Sequence, residues 1–134
     1  MSWPPATRWL IAICLVGGLW PAHADEHEFP FGRELMLDAP KLYGSKRVPM
    51  IEIEEDGAVS IDLWCASVRG QATVGESSIT IVADPVEPTQ CSPERQSGDQ
   101  DLLMALTQLT SWRRDGDVID FSGPTPLRFR LMTN

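Results

Sequence analysis

Short runs of alternating apolar and polar residues, cut by tight turns, most narrow the folds open to this chain. In Val59 to Cys65, the residues Val59, Ile61, Leu63 and Cys65 share one face, and Ser60, Asp62 and Trp64 share the other. Asp56-Gly57 stands before this run as a hairpin turn, because the favoured two-residue turn needs positive φ. On the far side of the turn, Val48 to Glu54 alternates Ile51 and Ile53 with Glu52 and Glu54. Pro49 makes its beginning an edge or a strand start. Gln71 to Val74 and Ser78 to Ala83 read as a second hairpin around Gly75-Glu76. Arg33 to Leu37 is a first short strand, and Val118 to Phe121 and Leu127 to Met132 are the last two. In the final strand Leu127, Phe129 and Leu131 alternate with Arg128 and Arg130, giving one apolar and one cationic face.

One segment has helical spacing instead. Leu102, Leu106 and Leu109 recur at i, i+4 and i+7, with Leu103 beside them, which predicts a helix over 97–112. Asp99 and Asp101 then fall in its first turn, and Arg113 and Arg114 at its end, as the helix dipole favours. Asp115-Gly116 stops the helix or turns the chain. Asp84 to Pro93 is too proline-rich for an inner strand. The fold class is therefore α+β. A strongly curved, mostly antiparallel, open barrel-like sheet of about seven short strands carries one helix, packed on the sheet or plugging one end.

The first 24 residues read as an export signal. Arg8 supplies a positive charge, the run Trp9 to Trp20 is apolar, and Ala22-His23-Ala24 is an A-x-A cleavage site. That run is twelve residues, against the roughly twenty a membrane-spanning helix needs. Cleavage near Ala24-Asp25 removes Cys14 and leaves Cys65 and Cys91 in a periplasmic or secreted protein, where a lone pair closes into a disulfide. A staple across that interval is worth on the order of 3 kcal/mol. Residues 25–32 are acidic and aperiodic and read as a flexible tail, and 33–134 as a single domain. The mature chain has ten basic residues, since Arg8 leaves with the signal, against all 19 acidic ones. That balance opposes binding to nucleic acid and to anionic lipid surfaces.

Catalytic chemistry finds little material. His23 leaves with the signal and His27 lies in the tail, so a serine or cysteine nucleophile has no base and zinc has no histidine pair. Glu52, Glu54, Glu55 and Asp56 gather beside a turn but do not match an EF-hand loop. No cofactor or metal and no enzymatic activity is expected. The candidate interaction surface is Trp64 with Arg113, Arg114, Arg128 and Arg130. Trp64 interrupts a polar strand face, which reads as a binding platform or as a side chain covered by the helix. The arginines read as an anion- or partner-binding patch, or as ordinary surface pairs with Asp117 and Asp120.

The C-terminal half resembles a known family. Asp101-Leu102-Leu103-Met104-Ala105-Leu106, Trp112, Gly116-Asp117-Val118-Ile119-Asp120-Phe121 and Leu127-Arg128-Phe129 are similar to the second half of the META domain, the heat-shock HslJ-like family. The resemblance spans roughly Arg33 to Met132, and many members carry two cysteines placed like Cys65 and Cys91. Trp64-Cys65-Ala66 stands where the family usually has Gly-Cys-Asn. The resemblance implies a curved antiparallel sheet with one helix, export, a stress or envelope role and no established enzymatic activity. The shape is similar to that of small secretin pilot proteins. One function is expected, with two alternatives. It is an envelope interaction module with a protein partner. The first alternative is a carrier or pilot holding an apolar, lipid-like ligand in a cracked barrel. The second is a small exported enzyme inhibitor.

Overall fold

The structure is a computed structural model that describes residues 2, 17–18, 27–87 and 90–133. The export signal read over 1–24, with its cleavage site, therefore lies outside the described residues apart from 2 and 17–18.

Eight strands and one helix are present among the described residues, one strand more than the sequence pattern suggests. The strands are β1 (Leu35–Leu37), β2 (Met50–Ile53), β3 (Ala58–Asp62), β4 (Ser67–Val74), β5 (Ile79–Ala83), β6 (Ser111–Asp115), β7 (Val118–Ser122) and β8 (Leu127–Leu131). The helix α1 (Pro93–Thr107) lies between β5 and β6. Every strand pair is antiparallel, in the order β5-β4-β3-β2-β1-β8-β7-β6. Two meanders, β1 to β5 and β6 to β8, are therefore joined by one long-range pairing, Leu35 opposite Leu131 and Leu37 opposite Phe129.

The two outer strands then curl toward each other. Ser78 and Ser111 form a bridge, the Ile79 amide donates to the Thr110 carbonyl at 3.1 Å, and the Trp112 amide donates to the Ser77 carbonyl at 2.9 Å. The sheet is thus nearly a closed barrel, which leaves little open edge. Its interior is filled by Leu35, Ile51, Ile61, Ile81, Phe121 and Phe129, which alternate inward along their strands. Phe121 and Phe129 meet edge to face with centroids 5.6 Å apart.

The hairpin forms at Asp56-Gly57, but through a longer turn than the two-residue one expected: the Gly57 amide donates to the Glu54 carbonyl at 2.9 Å, and of the turn residues Gly57 alone has positive φ. Gly57 has φ 92°, and Asp56 accepts a hydrogen bond from the Ala58 amide at 2.9 Å. Three more local expectations are corrected. The helix spans Pro93–Thr107, not 97–112. Ser92 caps it by accepting from the Arg95 amide at 3.4 Å, and Pro93 takes the first position, where no amide is needed. Beyond Thr107, the amides of Thr110 and Trp112 donate to Ser122 and Ser77, which pulls this stretch into the sheet. Arg113 and Arg114 are therefore strand residues, and Asp115-Gly116 leads into the β6–β7 hairpin. The strand expected to reach Cys65 ends at Asp62, because the Leu63 amide donates to the Ala66 carbonyl at 2.8 Å and closes a tight turn. Finally, the end of the expected flexible tail is docked. Phe29 is buried, stacked edge to face on Trp112 at 5.1 Å and tilted against Phe31 at 4.8 Å.

The curl depends on small residues inside β4. A Cβ on Gly70 would run into the Val82 carbonyl oxygen and come within 3.0 Å of the Ala83 Cα, both fixed backbone atoms of β5. Gly70→Ala is therefore expected to lower unfolding free energy by about 2 kcal/mol, as overpacking does. Denaturant titration checks this, with Ala58→Gly as a control on the neighbouring strand.

Candidate interaction surface

The helix sits over one end of the barrel. Leu102, Ala105 and Leu106 face inward from it. At that end the turn Leu63-Trp64-Cys65-Ala66 is gripped from three sides. Asp99, only 7% exposed, accepts from the Cys65 amide at 3.1 Å and the Ala66 amide at 2.8 Å. From the loop between β1 and β2, Arg47 donates to the carbonyls of Leu63 at 2.8 Å, Cys65 at 2.7 Å and Ala66 at 2.8 Å. Cys65 is also disulfide-bonded to Cys91, with Cα atoms 6.3 Å apart, which ties the turn to the residue before the helix cap. Charged groups therefore satisfy the turn's remaining amides and carbonyls, and the Ala66 carbonyl, already bonded to the Leu63 amide, takes Arg47 as a second donor.

The five residues proposed from sequence do not form one surface: Arg113, Arg128 and Arg130 share an outer face, and Trp64 and Arg114 lie apart from it. Trp64 lies in this turn at 7% exposure, packed beneath α1, where a Cβ on Gly98 would lie 3.1 Å from its Cδ1. Arg113, Arg128 and Arg130 are exposed on the outer face of β6 and β8. Asp120 stands between Arg113 and Arg128 in register and accepts from Arg128 at 2.7 and 3.3 Å. This pairing raises the Arg128 pKa, first through the hydrogen bond and then through the charge of Asp120. Arg130 pairs with Asp38 at 3.2 Å. Arg114 turns elsewhere and donates to the carbonyls of Gly116 at 2.7 Å and Glu28 at 3.0 Å, holding the N-terminal segment against the opposite end of the barrel.

Two residues that matter here escaped the sequence reading. Arg47 falls outside every element that the pattern marks, and the pattern makes Asp99 a dipole partner in the first turn of a helix that in fact starts six residues before it. The capping pattern Ser92-Pro93 was the available signal for the true start. The spacing itself puts Asp99 on the inward stripe, three and seven residues before Leu102 and Leu106.

Beside the gripped turn lies a groove of about 280 Å³ between α1 and the segment 84–87. Gln96, Asp99, Gln100 and Leu103 form its helix wall at i, i+3, i+4 and i+7. Val86 and Glu87 form the opposite wall, with Ala66 also lining it. A second cleft, at the other barrel end, is bordered by Phe29, Phe31 and Trp112. On the outer face, Glu52 has its pKa raised, first by a hydrogen bond with Glu54, then by desolvation and by the charges of Glu54 and Glu34. No group of three or more potential metal-binding side chains occurs among the described residues.

A family model for the META domain matches residues 33–129, which takes in β1 to β7, α1, the gripped turn and the first three residues of β8. The chain belongs to the META domain family. The fold also resembles that of a protein solved by NMR, at 13% sequence identity and a TM-score of 0.56, covering 74% of this chain and 88% of that one. At that identity the likeness concerns the fold alone. Comparison with curated proteins gives no match. In this META domain no described helix is long and apolar enough to cross a membrane.

Two outcomes follow from the geometry. Asp99→Asn replaces a charge-assisted acceptor with a neutral amide and is expected to cost about 1.5–3 kcal/mol of stability, measured by chemical denaturation. Glu52→Gln should act with the opposite sign and with a pH dependence. Because the folded state raises the Glu52 pKa, wild-type stability from this group is present at low pH and lost as pH rises above about 4.5. The variant should therefore match wild type in acid and become the more stable protein toward neutrality, as thermal melts across pH will show.

Proposed function

We propose that this META domain is an exported, non-catalytic module of the cell envelope that acts by binding a protein partner through its outer surface. The observation that carries this reading is the filled barrel. Ile119, Phe129, Leu106 and Leu63 are at 0% exposure, and Phe121, Ile51 and Ile61 at 1%. Side chains occupy the space where a carrier would hold an acyl chain. The disulfide Cys65–Cys91 and the N-terminal charged, apolar and A-x-A pattern support an oxidising compartment. Asp99 and Arg47, the polar groups that stand out at the helix end, act on the protein's own backbone. The family resemblance adds a stress-related setting.

Native mass spectrometry of protein recovered from the periplasm tests this. The expected result is a bare chain beginning at Asp25, lighter than the full chain's 14.9 kDa. A stoichiometric lipid adduct would establish the carrier instead, and an uncleaved, reduced product would remove export.

A further inference from the structure

The groove beside α1 has a chemistry that the envelope-module reading leaves unused. Its floor and walls combine apolar surface from Ala66, Val86 and Leu103 with two carboxylates, Glu87 on the open strap and Asp99 at depth, and among the described residues no basic side chain lines it. Gln96 and Gln100 add amide groups along the helix wall. At about 280 Å³ it lies near the lower limit of ligand clefts, roughly 300–1,000 Å³, so it suits one long side chain rather than a larger molecule.

The surroundings continue the same theme. Val86 is 39% exposed, and Met104, one turn beyond Gln100, is 58% exposed. Val82, on the outer face of the strand against which α1 packs, is 64% exposed. These are three of the four large apolar residues exposed among the described residues. Asp84, exposed on the strap two residues before Val86, adds a carboxylate to this side. An apolar groove with carboxylates at Glu87, Asp99 and Asp84 is complementary to a segment of opposite charge and similar apolar content.

We propose that this groove is the docking site for a basic amphipathic segment of a partner protein, with one lysine or arginine inserted between Leu103 and Val86 toward Asp99 and Glu87. A long cationic side chain matches both halves of the groove, because its methylene stem is apolar and its tip is charged. Neighbouring apolar residues of the segment cover Val82 and Met104. The proposal rests on the reading of this domain as a protein-binding module and names the face it uses. Asp99 here serves two ends: its carboxylate holds the turn amides and also presents negative charge to the groove.

The test uses the oxidised mature protein, labelled with nitrogen-15 and titrated with three probes at physiological salt. These are a short Lys/Leu peptide of amphipathic helical pattern, the same peptide with Glu for Lys, and spermidine. Saturable shifts at the amides of Ala66, Gln96, Gln100 and Leu103 are expected with the Lys/Leu peptide alone. Glu87→Gln and Val86→Ser, both on the exposed strap and harmless to the core, should each weaken binding by about fivefold or more. Three results would overturn the proposal: shifts spread over the acidic outer face around Glu34, Glu52 and Glu54, undiminished binding by both variants, or spermidine saturating the same amides as tightly as the peptide. Absence of peptide binding with a bare native mass ends the groove assignment and leaves the module reading in place. A lipid adduct in that mass ends the module reading itself.

Discussion

The grip on the turn Leu63-Trp64-Cys65-Ala66 is the interaction on which the rest of this structure depends. A short turn at the rim of a barrel leaves amides and carbonyls unpaired, and burying them uncompensated would cost about 1–3 kcal/mol each. Here Asp99 takes two amides and Arg47 takes three carbonyls. Because Asp99 belongs to the helix and Arg47 to the β1–β2 loop, satisfying the turn fixes the position of both. The disulfide adds a third tether, from the same turn to the residue just before the helix cap. One irregular turn thus organises everything that covers this end of the barrel. A buried hydrogen-bonded charge is a strong device for specifying one arrangement, since sliding the helix would strand the carboxylate in an apolar setting.

The two barrel ends are closed by different physics. At the helix end, two charged side chains between them serve five backbone groups of one turn. At the opposite end the closure is aromatic: Phe29 seats against Trp112 and Phe31, and the Trp112 indole donates to the Gly75 carbonyl at 2.9 Å. Arg114 pins the same segment through the Glu28 carbonyl. Between the two ends the sheet needs only apolar alternation and small residues, with Gly70 and Ala72 allowing β4 to curl over the core. Surface ion pairs such as Arg128–Asp120 and Arg130–Asp38 decorate this frame and contribute little to it.

What the sequence makes legible follows from the range of each interaction. The β2–β3 hairpin was visible because Asp56-Gly57 and the alternation on either side are adjacent in the chain. The inward set of β8, Leu127, Phe129 and Leu131, was visible for the same reason, and the family was visible in the run from Asp101 to Phe129. The helix end was misplaced because Leu109 and Trp112 fall by coincidence on the spacing set by Leu102 and Leu106. Both are buried, but from a loop and a strand rather than from the helix. The flexible-tail reading of 25–32 failed at Phe29 and Phe31 because docking onto Trp112 is a contact between residues more than eighty positions apart, which no local period reports. Arg47 and Asp99 were invisible as partners for the same reason.

This asymmetry bears on where function can lie. The barrel interior is committed to packing, and the aromatic end to holding the N-terminal segment. Trp64, the first candidate for a binding platform, is covered because the helix must lie over its turn for Asp99 to reach the amides. The same docking that buries Trp64 creates the groove, since a helix held by a turn on one side leaves a gap to the strap on the other. The strap is itself positioned at its start, where the Asp84 amide donates to Arg69 at 2.8 Å, and the disulfide at Cys91 anchors the chain that follows. Residues used to stabilise the helix end therefore also set the width of the gap beside it. On this argument a change at Cys91 or Asp99 alters both stability and recognition, whereas a change at Glu87 or Val86 reaches recognition alone.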